Sequence, residues 1–204
     1  MSDSATDPAP DPSFVWANPP NCAPDAPAVS LPAAQHDSLP PLVPLPFYTN
    51  DEWERIAQHV PGGWAGAYFE PVAGSNRLVL NFVDTTHLSM SLDSLAAYWS
   101  GQPLSFARDA VLIRVVRWDW VQLNDWYRYV TLVVGLPDGW TYSDIDEGKN
   151  RLEFGAATPA DRDVLLQRLR QLGVPCWLAA VEVLGYAVPL TARPPSAGVE
   201  IVAP

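Results

Sequence analysis

One plan is written twice in this chain, so any fold it adopts must build the same small unit twice. Residues 63–84 read GWAGAYFEPVAGSNRLVLNFVD and residues 139–155 read GWTYSDIDEGKNRLEFG. Each copy opens on Gly-Trp and places an acid six residues after the tryptophan, Glu70 after Trp64 and Asp146 after Trp140. A turn follows, then the triplet Asn-Arg-Leu, Asn76–Leu78 and Asn150–Leu152, 74 positions apart. The turn is two residues shorter in the second copy, and a hairpin loop is the part of such a unit most free to change length.

Side-chain period makes each copy a hairpin. Leu78, Leu80 and Phe82 fall on one face of an extended chain, with Arg77 and Asn81 on the other, the alternation of a half-buried strand. Trp64, Gly66 and Tyr68 alternate in the same way before a turn at residues 71–75, where Pro71 and Gly74 supply turn conformations. In the second copy Leu152 and Phe154 oppose Arg151 and Glu153. Trp140, Tyr142 and Ile145 break parity, which predicts a bulge near residues 143–145.

Helical periods flank both hairpins. Thr49 and Glu52 stand at capping-box spacing, and Trp53, Ile56, Ala57 and Val60 follow at i, i+3, i+4, i+7 until Pro61-Gly62-Gly63. Leu92, Leu95, Ala96 and Trp99 repeat that spacing after the first hairpin. In residues 110–118, Val111, Ile113 and Val115 alternate with Leu112, Arg114 and Val116, and so little polarity on either face reads as a central strand. The plan then restarts. Asp119 and Gln122 form a second cap, Leu123, Trp126, Tyr127 and Val130 share a face, and Asn124-Asp125-Trp126 echoes Asn50-Asp51-Glu52-Trp53. Thr158-Pro159-Ala160-Asp161 is a helix start, with a capping Thr, Pro at the first helical position and an acid in the first turn. Val164, Leu165, Leu169 and Leu172 face inward, Gly173 and Pro175 end the helix, and residues 177–184 form a closing strand.

The expected fold class is therefore α+β, a tandem duplication of a helix–strand–strand–helix–strand unit, each unit with a small sheet covered by its helices. The units span residues 47–118 and 119–186 and share an interface, because about 70 residues are marginal alone. Residues 1–46 hold 12 of the 22 prolines and neither Lys nor Arg, which reads as a disordered acidic tail interrupted only by Phe14-Val15-Trp16. Residues 187–204 read as an extended C-terminal tail.

Composition narrows the function. The formal charge is −11, with a single lysine, Lys149, among the 12 basic residues. Such a chain repels a phosphate backbone, so no nucleic-acid partner is expected. No apolar run reaches the roughly 20 residues of a membrane helix. No basic-then-apolar leader opens the chain, which leaves a cytoplasmic protein or an exported one after leader removal. Cys22 in the tail and Cys176 in the folded part read as a free thiol and a small buried apolar residue, in preference to a disulfide.

Candidate chemistry is sparse. The acidic run 144–150 fails as a calcium loop, with Gly148 at the fifth position and Gly155 at the twelfth, and reads as a polar turn. Asp84 and His87 are too few for a metal site. No nucleophile elbow and no phosphate-cradling glycine loop occurs, so no catalytic, cofactor-binding or metal-binding residue is assigned and no cofactor is expected. Of the nine tryptophans, Trp53, Trp64, Trp99, Trp126, Trp140 and Trp177 fall on core faces or element starts. Trp118 and Trp120 sit at the junction of the units, where inter-unit packing or an aromatic ligand platform are the alternatives.

The order strand, acid, turn, NRLxL, strand ending VxD, helix and strand resembles the pro region of secreted bacterial serine proteases of the α-lytic protease and streptogrisin type. It is carried by Ala65–Glu70, Asn76–Leu80 and Phe82–Asp84, again by Trp140–Asp146 and Asn150–Phe154, and by Leu-Gly-Val-Pro at 172–175. The resemblance covers roughly residues 50–185. It implies a non-catalytic protein-binding fold, an inhibitor or folding assistant that grips a trypsin-fold protease through a sheet edge and a C-terminal tail. It also implies a secreted or periplasmic location. No protease domain lies within the 204 residues, so the resemblance implies a free-standing relative whose partner is encoded elsewhere or whose role has changed. The expected partner-binding residues are Trp177, Leu178, Ala180, Glu182, Leu184 and Tyr186, on the last strand and its exit. The contrasting readings are a small enzyme without a recognisable motif and an envelope-associated ligand- or carbohydrate-binding protein. An open sheet edge beside an apolar groove favours the binder.

Overall fold

Each copy of the repeat folds into a three-stranded sheet of one topology in the computed structural model, which describes residues 27–42, 49–72, 75–100, 106–107 and 110–185. After a single-turn helix α1 (Ala33–His36), the first unit runs α2 (Asn50–Ala57), β1 (Trp64–Val72), β2 (Ser75–Phe82), α3 (Leu88–Tyr98) and β3 (Leu112–Val115). The second runs α4 (Trp120–Arg128), β4 (Trp140–Asp146), β5 (Arg151–Ala156), α5 (Pro159–Gln171) and β6 (Ala179–Val183). In both units the hairpin is antiparallel and the last strand pairs parallel to the hairpin's second strand. A parallel pair needs a crossover connection, and α3 and α5 provide it. The duplication is thus structural as well as textual, and the fold is α+β.

The register preserves the repeat. Trp64 lies opposite Phe82 and Trp140 opposite Ala156, and each hairpin bulges directly after its tryptophan, between Trp64 and Ala67 and between Trp140 and Tyr142. The irregularity anticipated at residues 143–145 is therefore displaced toward Trp140, and the first hairpin shares it. The run 110–118 is not a central strand. With sheet order β1-β2-β3, β3 is a short edge strand and β2 is the centre. The run is apolar on both faces because it leads into the inter-unit junction, where Val116 and Trp118 are buried.

Local chemistry accounts for most helix starts. Thr49 accepts the Glu52 amide at 3.2 Å and Thr158 the Asp161 amide at 3.2 Å. Asp119 and Gln122 make a reciprocal capping box at 2.8 and 3.2 Å. At Thr49 the Glu52 carboxylate pairs with Arg55. α4 runs on into a π-helical turn, Tyr129–Val134, before Gly135, an irregularity with no signature in the periodicity. Leu165 and Leu169 are buried as expected, but Val164 is exposed, because the stripe that α5 turns to the sheet is narrower than its run of apolar residues.

The two units share one apolar core. Trp118 and Trp120 are buried, which removes the ligand-platform reading. The Trp120 ring lies 4.8 Å from Trp53 and 6.3 Å from Trp64, and its Nε1 donates to the Asn50 carbonyl at 2.9 Å. It passes over Gly66, where a Cβ would come within 2.9 Å of the indole and 3.0 Å of the Glu147 side chain. The turn between β4 and β5 docks on the same polar face of the first sheet. Asn81 donates to the Glu147 carbonyl at 2.7 Å, and Arg114, stacked over Tyr68, reaches the Gly148 carbonyl at 3.3 Å. Asn150, buried with φ 50°, closes the interface by exchanging two hydrogen bonds with the Trp118 backbone, 2.9 and 2.8 Å.

Two expectations about the N-terminal region and its cysteine change. Residues 27–42 do not behave as a tail. They lie across the second unit as a strap, with Leu31 buried in the core and Ala28 and Leu39 packed on it. A proline-rich segment with one helical turn has no core of its own, so its order comes from a surface that exists only once α2 and α4 have packed. Phe14-Val15-Trp16 lies outside the described residues. Cys176 is not a free thiol but is disulfide-bonded. Cys22, the other cysteine of the sequence, lies outside the described residues. A non-reducing peptide map is expected to yield one linked peptide containing both, absent after reduction. Two unlinked, alkylatable thiols in the native protein would contradict it.

Candidate functional site

The two units are equivalent in backbone but not in surface, and the difference locates the candidate site. The Val116 amide donates to the Phe82 carbonyl at 2.9 Å, and the Leu184 amide donates to the Ala156 carbonyl at 3.0 Å. Val116 and Leu184 are therefore counterparts, as are Trp64 and Trp140. Trp64 is 0% exposed and Val116 6%, whereas Trp140 is 45% exposed and Leu184 56%. In the first unit Trp53, Trp99 and Trp120 ring Trp64 at 5.2, 5.8 and 6.3 Å. Trp120 enters from the helix after β3. Among the described residues no such helix comes after β6, and the matching surface stays uncovered by them.

What lies open is a shallow hollow of about 260 Å³ lined by Thr141, Tyr142, Leu184 and Gly185. Gly155 is its floor: a Cβ there would meet Thr141 Oγ1 at 2.8 Å, Leu184 Cδ1 at 2.9 Å and Tyr142 Cβ at 3.0 Å. Tyr142 donates its hydroxyl to Asp144 at 3.0 Å, and burial followed by that carboxylate pushes its pKa up to about 12. It therefore stays a protonated donor at any physiological pH. The Trp140 indole donates to the Tyr142 carbonyl, which fixes the ring against its own strand. Beside the hollow, β6 pairs with β5 on one side only among the described residues. Its exposed outer residues are Glu182, Val183 and Leu184.

The residues expected to bind a partner divide. Glu182 and Leu184 are exposed on the edge. Leu178 and Ala180 are buried, and they shape the edge through backbone alone, the Leu178 carbonyl accepting the Leu152 amide at 2.7 Å. Trp177, in the turn before β6, is half-buried beneath the Arg117 guanidinium, 4.9 Å from the ring centre. Tyr186 lies outside the described residues. Trp140, Thr141 and Tyr142 were missed, because the repeat puts Trp140 where Trp64 is a core residue. The signal lay in the residues after each closing strand: Trp118 and Trp120 after the first, Tyr186 and Val188 after the second.

A second constellation lies between α2 and α4. Asn124 donates to Glu54 at 2.7 Å, and Arg128 lies 3.8 Å from both Glu54 and Asp51. Asp125 faces His36 at 3.6 Å. Glu54, Asn124, Asp125 and Arg128 are all buried. Burial holds the carboxyls of Glu54 and Asp125 above their usual range, against the opposing pull of the Asn124 hydrogen bond on the first and of His36 and Arg128 on the second. Sequence reading saw only the echo of Asn50-Asp51 in Asn124-Asp125, not that the two would meet. Neither a family model nor a curated protein matches this chain.

Proposed function

We propose that the chain is a non-catalytic protein-binding module whose partner docks on the end of the second sheet. The observation that carries this reading is the vacant counterpart of the inter-unit contact: Trp140 and Leu184 are exposed where their first-unit equivalents, Trp64 and Val116, are buried, and Tyr142 is exposed beside them. An open edge strand beside an apolar hollow supplies main-chain hydrogen bonds for affinity and side-chain contacts for selectivity. Contiguous exposed apolar surface of this kind marks interaction sites in soluble proteins. The disulfide at Cys176 favours an oxidising compartment, in keeping with export. The resemblance to protease pro regions supplies the partner class, a trypsin-fold serine protease held as an inhibitor or folding assistant would hold it, with residues 186–204 continuing from the β6 edge.

The test titrates full-length protein, protein truncated after Tyr186, and Leu184→Asp against a panel of trypsin-fold proteases, following inhibition and calorimetric heat. Full-length protein is expected to bind at least one protease. Truncation and Leu184→Asp are expected to weaken binding by about 2 kcal/mol or more, the size of a hot-spot loss, with the melting temperature unchanged. Failure of full-length protein to bind any protease at about 50 μM, where even a weak complex of some −6 kcal/mol registers, removes the protease connection.

A further inference from the structure

The strap lies over α4 as a peptide ligand lies in a receptor groove. Trp126 Nε1 donates to the Val29 carbonyl at 2.9 Å, Gln122 Nε2 to the Ser30 hydroxyl at 3.0 Å, and Arg128 to the Pro40 carbonyl. Gln122 and Trp126 are four residues apart and share one face of the helix. Leu31 is the single strap residue sunk into the core, at 6% exposure. Two of the three hydrogen bonds read backbone carbonyls, which any extended peptide offers, and the deep contact is one aliphatic side chain. This is the division of labour of peptide recognition: main-chain bonds hold, and a pocketed anchor selects.

The floor under the strap argues against a purely structural role. Beside the apolar core under Ala28, Leu31 and Leu39, it includes the cluster Glu54, Asn124, Asp125 and Arg128, whose buried Asn124 Oδ1 and Asp125 Oδ1 accept no hydrogen bond among the described residues. A buried ion cluster with unsatisfied acceptors is a poor source of stability compared with apolar packing. A strap that served only to close the core would lie better on a wholly apolar floor. A partly polar floor suits a surface that is wetted when the strap leaves.

We propose that the α2–α4 face is a binding groove for a partner peptide with a leucine anchor flanked by proline or small residues, and that residues 28–40 occupy it in cis. A partner segment of that chemistry competes with the strap. Tethering sets the terms of the competition. A short linker holds a cis ligand at an effective concentration of millimolar order, so an occupied groove implies trans affinity about tenfold tighter than that or better.

The experiment uses the full chain and a fluorescent synthetic peptide of residues 27–42. Leu31→Ser removes the cis anchor, and the variant is expected to bind the peptide at least about tenfold more tightly than the wild type, the wild-type groove being self-occupied. Trp126→Phe in the Leu31→Ser background is expected to weaken binding severalfold, and a peptide with Leu31→Asp is expected not to bind. Equal affinity for wild type and variant overturns the proposal, as does a folded variant that binds no peptide at about 1 mM. Should Leu31→Ser fail to fold, a protease site placed at residues 43–46 and cleaved under reducing conditions decides. Exchange of the cut strap for labelled peptide supports the groove, and a strap that does not exchange within a day overturns it.

Discussion

Trp120→Ala is expected to lower the free energy of unfolding by about 3–5 kcal/mol, the range for deleting a fully buried large aromatic. The indole is 1% exposed, lies between Trp53 and Trp64, covers Gly66, and donates its only hydrogen-bonding proton to the Asn50 carbonyl. It belongs to the second unit and is buried by the first, so its removal opens a cavity at the centre of the shared interface. Urea denaturation of wild type and variant measures the effect. A single cooperative transition with a lower midpoint is the expected form, because the units share one core. Trp120→Phe keeps most of the ring and loses the donor, and is expected to cost about 1 kcal/mol. A loss under about 1 kcal/mol for the alanine variant would mean that the interface is not closed by this ring.

The second large effect is a pH dependence centred on Glu147. Its carboxyl is raised to about 7, first by burial and then by Asp144 and Asp146. A carboxyl whose folded pKa lies above its unfolded value binds a proton more tightly in the native state. The stability it contributes is present below pH about 4.5 and is lost as pH rises through about 7. Discounted for partial exposure, the shift corresponds to about 2 kcal/mol. Glu54, Asp119 and Asp125 are raised by burial as well and add dependence of the same sign. Wild-type protein is therefore expected to be more stable at pH 5 than at pH 8. Glu147→Gln, neutral throughout, is expected to recover about 2 kcal/mol at pH 8 and little at pH 5. Chemical denaturation of both proteins at the two pH values gives the comparison. Parallel stability profiles would show that the carboxyl is hydrated in the folded protein.

Where sequence reading and structure part, the cause is contact between distant segments. Strand alternation and helix period are local: Leu78, Leu80 and Phe82 go inward because strand residues alternate, and Leu123, Trp126 and Val130 go inward because a helix turns every 3.6 residues. Those assignments match the burial. Whether a tryptophan at a repeated position is covered depends on which other element arrives, and this separated Trp64 from Trp140. The same cause ordered residues 27–42, whose hydrogen-bonding partners Gln122, Trp126 and Arg128 lie some ninety positions along the chain. The candidate site was legible as a place, the β6 edge with Glu182 and Leu184. Its other wall, Thr141 and Tyr142, comes from a strand that sequence reading treated as a copy of a buried one.

The duplicated unit, the positions of its hairpins and helices, and the apolar face of each sheet are all readable from the residues, because repeats, caps and side-chain period act over a few positions. Three features needed the assembled molecule: the second unit's first helix covers the first sheet, the N-terminal strap lies on that helix, and no described residue covers the end of the second sheet. Burial is a property of what comes to lie against a surface. A chain in which each unit is covered by the next leaves its last unit with a face that nothing later in the described chain covers.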